Sequence, residues 1–144
     1  AGRADEAISI MEELIRRQPE HGEALNYVGY TWADKSINLD KALEYIERAV
    51  ELKPDNGYIL DSLGWVYYRL GRNQEALQAL QEAVLLSPDD PTIWEHLGDV
   101  YLALDREEEA LETYRKSISL FNKDSDGRKA LEEKIKLLES RERK

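Results

Sequence analysis

A 34-residue periodicity constrains the fold of this chain more than any other feature of its sequence. Residues 57–90 resemble both the stretch before them and the stretch after them when the sequence is shifted by that length. A unit of this size cannot bury its apolar face alone, and it becomes stable by stacking on its neighbours. The chain is therefore predicted to be an array, and its function depends on the surfaces that an array presents.

Small residues recur in register at three positions of the period, numbered from the start of each unit. Position 8 holds glycine, and positions 20 and 27 hold alanine or serine, in each full unit: Gly29, Gly64, Gly98, Ala42, Ala76, Ala110, Ala49, Ala83 and Ser117. We expect these residues to let neighbouring helices approach closely, because larger side chains would separate them. Asp105 replaces Gly71 at position 15, where we expect a turn residue in the left-handed conformation.

The composition favours helices, because Ala, Leu, Glu, Lys, Arg and Gln dominate and no long run alternates apolar and polar residues. The predicted fold class is all-α. The predicted helices span about 4–17, 23–35, 39–52, 57–70, 73–86, 91–104, 107–120 and 125–141. They are grouped as one domain with a partial unit at 1–21, full units at 22–56, 57–90 and 91–124, and a capping helix at 125–144. The first full unit carries one extra residue, in the turn 36–38.

The two ends of the array differ. Residues 1–21 match the second half of a unit, so we expect the apolar stripe of Ile8, Met11 and Ile15 to lack its partner helix. That open face would be covered by further repeats of a longer protein or by a second copy of the chain. At the other end, an apolar stripe on an otherwise charged helix predicts a cap with a polar outer face, for which Asp124 or Ser125 could be the N-cap.

This spacing resembles that of the tetratricopeptide repeat family. The resemblance implies a right-handed superhelical array of antiparallel helix hairpins, whose first helices line a concave groove. Carried over to this sequence, the groove positions relevant to partner binding are Asn26, Tyr27, Tyr30, Tyr58, Asp61, Ser62, Trp65, Tyr68, Arg69, Glu95, His96 and Asp99. The basic residues with which a subclass of the family grips a peptide carboxylate are missing here, so that binding mode is rejected.

The groove set is aromatic and acidic, with Arg69 as its single Lys or Arg. Aromatic side chains with a polar tip are favoured anchors of protein interfaces. The sequence therefore predicts a scaffold or adaptor that binds a neutral or basic peptide or protein segment, with Trp65 as the foremost anchor. Alternatively, several of these rings fill space between successive helices and meet little solvent. A different class of function is a structural module that self-associates through the N-terminal helix.

Other functions are disfavoured by composition. The net charge of −10 repels nucleic acid and anionic lipid. The chain has no cysteine and two histidines, and no apolar run approaches the length of about 18 residues that a membrane span needs, so no metal, cofactor or membrane insertion is predicted. Ser62, His96 and Asp99 suggest a triad, but equivalent points on packed helices lie about 8–10 Å apart. We therefore predict that the protein is not an enzyme.

Two segments carry a closer resemblance. Residues 26–34 (NYVGYTWAD) and 60–71 (LDSLGWVYYRLG) are similar to the C-terminal repeats of bacterial outer-membrane lipoproteins that bring a carboxyl-terminal processing protease to its substrates. The resemblance implies an interaction module on the periplasmic side of a bacterial envelope, and a cytoplasmic location is the alternative.

Overall fold

The computed structural model describes residues 2–142, which form eight helices. The helices are α1 (Gly2–Arg17), α2 (Gly22–Asp34), α3 (Leu39–Leu52), α4 (Gly57–Arg69), α5 (Asn73–Leu86), α6 (Pro91–Ala103), α7 (Glu107–Leu120) and α8 (Asp126–Glu142). Within the described residues there is no strand, and the all-α array predicted from the periodicity is confirmed. Helices α2 and α3, α4 and α5, and α6 and α7 pack as hairpins, while α1 packs on α2 and α8 on α7.

Side-chain caps mark where the first helix of each hairpin begins. The Oδ1 atom of Asn56 accepts hydrogen bonds from the amides of Tyr58 and Ile59, and Asp90 caps α6 in the same way just before a proline. His21 takes this role for α2, where its Nδ1 atom accepts from the amide of Ala24 at 3.1 Å. These acceptors satisfy amides that have no partner inside the helix. The chain therefore starts each of these helices at a fixed point of the period.

The turns within the hairpins need left-handed backbone. Gly71 has a φ of 79°, and Asp105, one period later, has a φ of 59°. The expectation that both residues serve the same turn is thus confirmed. In the longer first turn, Ser36 and Asn38 have φ values of 55° and 47°. The extra residue is accommodated there without disturbing the helices on either side.

Each hairpin closes around a glycine of its first helix. A Cβ atom on Gly64 would lie 2.5 Å from Cγ of Leu80, and one on Gly29 would lie 2.6 Å from Cγ1 of Ile46. The expected close approach of the helices is therefore present, and the residue opposite each glycine is the one at position 24. The small residues at positions 20 and 27 are fully buried in every hairpin: Ala42, Ala49, Ala76, Ala83, Ala110 and Ser117.

The prediction of an open N-terminal face is wrong for two of its three residues. Ile8 and Ile15 are only 8% and 7% exposed, and Met11 is partly buried against the same core. The apolar stripe of α1 faces α2, so this contact uses the side chains that were expected to be free. The large apolar side chain that α1 does expose is Ile10, at 66%.

The C-terminal helix α8 packs its apolar side on α7 and exposes Leu137, which is 67% exposed. Ser125 accepts a hydrogen bond from the amide of Arg128, which makes it the N-cap of α8. Leu131, Ile135 and Leu138 are buried in a cluster with α7. Ala130, the residue before Leu131, is exposed. None of the helices described between residues 2 and 142 has the length and apolar character needed to cross a membrane.

Candidate functional site on the first-helix face

The predicted groove residues lie on α2, α4 and α6, and the structure divides them into two groups. We call the first group the tyrosine cleft, which is lined by Glu23, Asn26, Tyr27, Tyr30, Thr31, Asn56, Tyr58, Ile59, Asp61 and Ser62. We call the second group the His96 network, which comprises Asp61, Trp65, Tyr68, Arg69, Glu95, His96 and Asp99 together with Asp34, Tyr114 and Lys134. Asp61 belongs to both groups and connects them.

The tyrosine cleft is open to solvent and has a volume of about 630 Å³. Tyr58 is 58% exposed and Tyr27 is 41% exposed, so both rings offer surface to a ligand. Tyr30 is half-buried, and Ile59 is buried. The cleft thus combines exposed aromatic rings with a recessed one.

Most polar side chains of the cleft already have partners. Thr31 donates its hydroxyl to the carbonyl of Tyr27 at 2.7 Å, and Ser62 donates to the carbonyl of Tyr58 at 3.1 Å. Among the buried side-chain atoms of the cleft, Oδ1 of Asn26 accepts no hydrogen bond from any residue in the described part of the chain. A buried acceptor without a donor costs about 1–3 kcal/mol. The lining of the cleft therefore includes one buried acceptor without a donor among the described residues.

The electrostatic environment of the cleft is negative. Its lining contains the carboxyl groups of Glu23 and Asp61 and no Lys, Arg or His. The pKa of Tyr30 is raised to about 12, first by burial and then by the negative charges of Asp34 and Asp61, which oppose ionisation of the phenol. Glu23 is ion-paired with Lys53 at the edge of the cleft. An anionic ligand would meet repulsion here, and a cation would meet attraction.

The His96 network is packed rather than open. Trp65 is only 6% exposed, so the prediction that its ring is the foremost exposed anchor is wrong. Its ring stacks on that of His96 with 4.0 Å between centroids and on that of Tyr68 with 4.9 Å, and the guanidinium of Arg69 lies 4.8 Å from it. Its indole nitrogen donates to Asp34 at 3.2 Å. Trp65 therefore fills space between successive first helices, which was the stated alternative.

A buried pair holds α4 to α6. Nδ1 of His96 lies 2.7 Å from Oδ1 of Asp61, and both residues are 7% exposed. Burial alone would lower the pKa of His96, but the charge of Asp61 and its hydrogen bond, helped by Asp99 and Glu95, outweigh burial and raise the pKa. The protonated imidazole is thus favoured, and the contact with Asp61 is an ion pair in that state.

Acid–base pairs of this kind repeat along the first-helix face. Asp34 pairs with Arg69 at 3.7 Å, and the pair of Asp61 and His96 follows one helix later. The third set of pairs joins α6 to α8, where Nζ of Lys134 lies 3.1 Å from Asp99 and 2.7 Å from Glu95. Three of these pairs join residues 35 apart, which is one period plus one residue.

Sequence reasoning missed these partners because it compared identical positions of neighbouring units. The packed helices are offset, and their side chains extend far enough to span the gap between the helix axes. A search for acids followed by a base 35 residues later would have found them. Tyr114 was also missed as a contributor, although its hydroxyl donates to Asp99.

The geometry offers no support for a nucleophile. Ser62 is 3% exposed and donates its hydroxyl to a carbonyl of its own helix, and His96 is engaged with Asp61. Among residues 2–142 no group of three or more His, Asp or Glu side chains is arranged to hold a metal ion. What the face does provide is an open cleft beside a packed polar and aromatic network.

Comparison with known families identifies the repeat. A family model of the tetratricopeptide repeat matches residues 1–57 and 62–125. A TPR repeat-containing protein of Pseudomonas aeruginosa is 44% identical over 63 residues, which is 44% of this chain and 11% of that protein. The chain thus matches only a small part of the length of this curated relative.

Solved structures share the fold. MamA is 26% identical with a TM-score of 0.78, and the match covers 98% of this chain and 80% of that one. A thermophilic TPR protein of Thermus thermophilus is 24% identical with a TM-score of 0.79, covering 95% and 73%. The pilF protein of Pseudomonas aeruginosa is 24% identical with a TM-score of 0.82, covering 99% and 63%. At such identities these likenesses support the helical array and not a particular partner.

Proposed function

Because the chain belongs to the tetratricopeptide repeat family, we propose that it is an interaction scaffold that binds a peptide or protein segment in the tyrosine cleft. Proteins of this fold typically act as non-enzymatic scaffolds, and the buried state of Ser62 and His96 agrees with that role. The proposed binding region is smaller than the full set of groove positions, since it lies between α2 and α4.

One observation carries this proposal: Tyr27 and Tyr58 expose their rings in the same cleft. Most large side chains of the first helices are buried or half-buried, and exposed aromatic rings with a hydroxyl are typical interface anchors. Binding would remove these rings from water, which is the main contribution expected of such anchors. The His96 network has a supporting role, because it holds α4 against α6 behind the cleft.

The partner is expected to be neutral or basic at the segment that enters the cleft. Glu23 and Asp61 line the cleft, and the net charge of the chain is −10. Charge complementarity of this kind accelerates encounter and excludes partners of the wrong sign. A periplasmic adaptor role, which the lipoprotein resemblance implies, is a further part of this proposal and is tested by locating the protein in its cell.

A library of random peptides displayed on phage tests the scaffold proposal directly. Peptides enriched on the wild-type chain should lose at least about fivefold in affinity for Tyr58→Ala, because truncating an interface anchor costs more than about 1 kcal/mol. Leu85→Ala is a matched control, since Leu85 on α5 is 80% exposed and lies outside the cleft.

Two results would contradict the proposal. Either no peptide is enriched, or the enriched peptides bind Tyr58→Ala as tightly as they bind the wild type. Circular dichroism of both variants should show unchanged helix content, since each substitution removes an exposed side chain.

A further inference from the structure

The tyrosine cleft has the chemistry of a site for one compact cation. We propose that it receives the ammonium group of a lysine side chain from the partner, held between the rings of Tyr27, Tyr30 and Tyr58 and bonded to Asn26. This inference deepens the proposed scaffold function and rests on it, because it names the side chain that the partner presents.

Three tyrosines in a single cleft are the first argument. The face of an aromatic ring carries negative charge density and attracts a cation placed within about 6 Å of its centre. Tyr27, Tyr30 and Tyr58 all line the cleft, and two of them are substantially exposed. The lining has no cation of its own to occupy these rings. Elsewhere in the array a cation of the chain itself covers an aromatic ring, as the guanidinium of Arg69 does for Trp65.

The free acceptor is the second argument. Oδ1 of Asn26 is buried at the cleft without a donor among the described residues. An ammonium group donates three hydrogen bonds and accepts none. Rotation of the partly buried Asn26 side chain would present its amide oxygen to the ammonium, which would still have donors for the phenol oxygens or for Asp61. A neutral apolar side chain would leave the acceptor of Asn26 unpaired.

The hydrogen bonds already made by the two carboxyl groups of the cleft, those of Asp61 and Glu23, favour lysine over arginine as the ligand. A guanidinium binds best to both oxygens of one carboxylate. Oδ1 of Asp61 is engaged by His96, and Oε1 of Glu23 is engaged by Lys53. Neither carboxylate therefore offers two free oxygens in the geometry that arginine needs. A point charge with donors in several directions fits this arrangement better.

The chain itself provides an internal parallel at the other end of the same face. The ammonium of Lys134 bonds to Glu95 and Asp99 of α6 and lies 5.6 Å from the ring centre of Tyr114. Acids and a tyrosine thus already hold a lysine where α8 follows α6. At the α2 and α4 end, the tyrosines and acids are present, and the described chain supplies no lysine inside the cleft.

Titration of the isotope-labelled full chain with small lysine derivatives tests this inference by NMR. The probes are Nα-acetyl-lysine methylamide, the corresponding arginine derivative, and the norleucine derivative, which keeps the carbon chain of lysine but lacks the ammonium. We expect saturable shifts at Asn26 and Tyr58 with the lysine probe, with an affinity at least about tenfold higher than for norleucine. Arginine should bind more weakly than lysine.

Matched variants distinguish the effect of the aromatic face of Tyr58 from the effect of its size. Tyr58→Phe keeps an aromatic face and should retain affinity within about twofold, whereas Tyr58→Leu should lose about twofold to fivefold. Asn26→Leu, which removes the acceptor, should lose about fivefold or more. Leu85→Ala again serves as the control outside the cleft and should change nothing.

Several outcomes would overturn the inference. Equal binding of lysine and norleucine would make the cleft an apolar site, and tighter binding of arginine would contradict the carboxylate geometry. Tetramethylammonium bound as tightly as the lysine probe would indicate a site for free small cations. If the displayed peptides require Tyr58 but keep their affinity when each of their lysines is replaced, the lysine inference fails while the scaffold proposal stands. If peptides do not require Tyr58 at all, the scaffold proposal fails as well.

Discussion

The substitution Gly64→Ala isolates the close helix approach that defines each hairpin. The new Cβ would lie 2.5 Å from Cγ of Leu80, and 3.1 and 3.2 Å from its two methyl carbons. Rotation about χ2 leaves Cγ in place, and a change of χ1 has little free space because the side chain is 0% exposed. Overpacking of this kind costs about 1–3 kcal/mol, and the upper part of that range applies here. Replacing glycine by alanine within a helix returns about 1 kcal/mol. The expected net loss is about 1–2 kcal/mol.

The sign should reverse when Leu80 is shortened. Leu80→Ala alone is expected to destabilise the chain by about 2–5 kcal/mol, because it removes a fully buried side chain. In that background the Cβ of Gly64→Ala enters vacated space, and only the gain in helix propensity remains. The second substitution should then stabilise the chain by about 1 kcal/mol. Such a reversal is the expected result of direct contact in a double-mutant cycle.

Urea unfolding followed by circular dichroism and tryptophan fluorescence measures the four free energies of unfolding. Gly71→Asn is a useful control, because Gly71 has a φ of 79° and no atom within 4 Å of an added Cβ. Gly71→Asn should change the free energy of unfolding by the same amount whether residue 80 is leucine or alanine. If Gly64→Ala has the same sign with Leu80 and with alanine at that position, the contact does not set the spacing of the hairpin and the reasoning is refuted.

Three further results are expected. The free energy of unfolding should fall as pH rises above about 6.5, because folding raises the pKa of His96 above its unfolded value of 6.5. The stabilisation from the protonated imidazole is complete below the unfolded pKa and is lost as pH rises through the folded pKa. His96→Gln should remove this pH dependence in urea titrations, and an unchanged dependence would assign it to another group. Asn26→Leu should stabilise the chain by about 1 kcal/mol by removing an unpaired buried acceptor, and thermal unfolding that shows a loss would mean that Asn26 has a partner. Sedimentation velocity should show a monomer of 16.7 kDa at all accessible concentrations, since Ile8 and Ile15 are buried, and a dimer lost in Ile10→Ser would revive self-association.

Local features of the sequence predicted the array well. The caps and left-handed turns act within a few residues, so Ser125 and Asp105 could be interpreted without knowledge of distant contacts. Glycine at position 8 also has one simple physical meaning inside a helix, which is the close approach of another chain segment. The predicted helices therefore agree with the observed ones to within two residues at each end.

Exposure was harder to predict. Trp65 and Tyr58 are both aromatic residues at groove positions of the same helix, yet the first is 6% exposed and the second 58%. The difference comes from what the neighbouring first helices place beside each ring. His96 and Tyr68 stack on Trp65, whereas Tyr58 lies in the open cleft. The same helical face thus contains a packed side chain and an available one.

By itself the sequence determined the period, the helices, the turns and the small residues that bring helices together, because each of these depends on backbone geometry and on side-chain size within one unit. Only the tertiary structure decided that Asp61 meets His96, that the stripe of α1 is covered by α2, and that Tyr27, Tyr30 and Tyr58 share one cleft. These outcomes depend on the offset between helices one unit apart. That offset is set by how all their side chains pack, so no single repeat contains it.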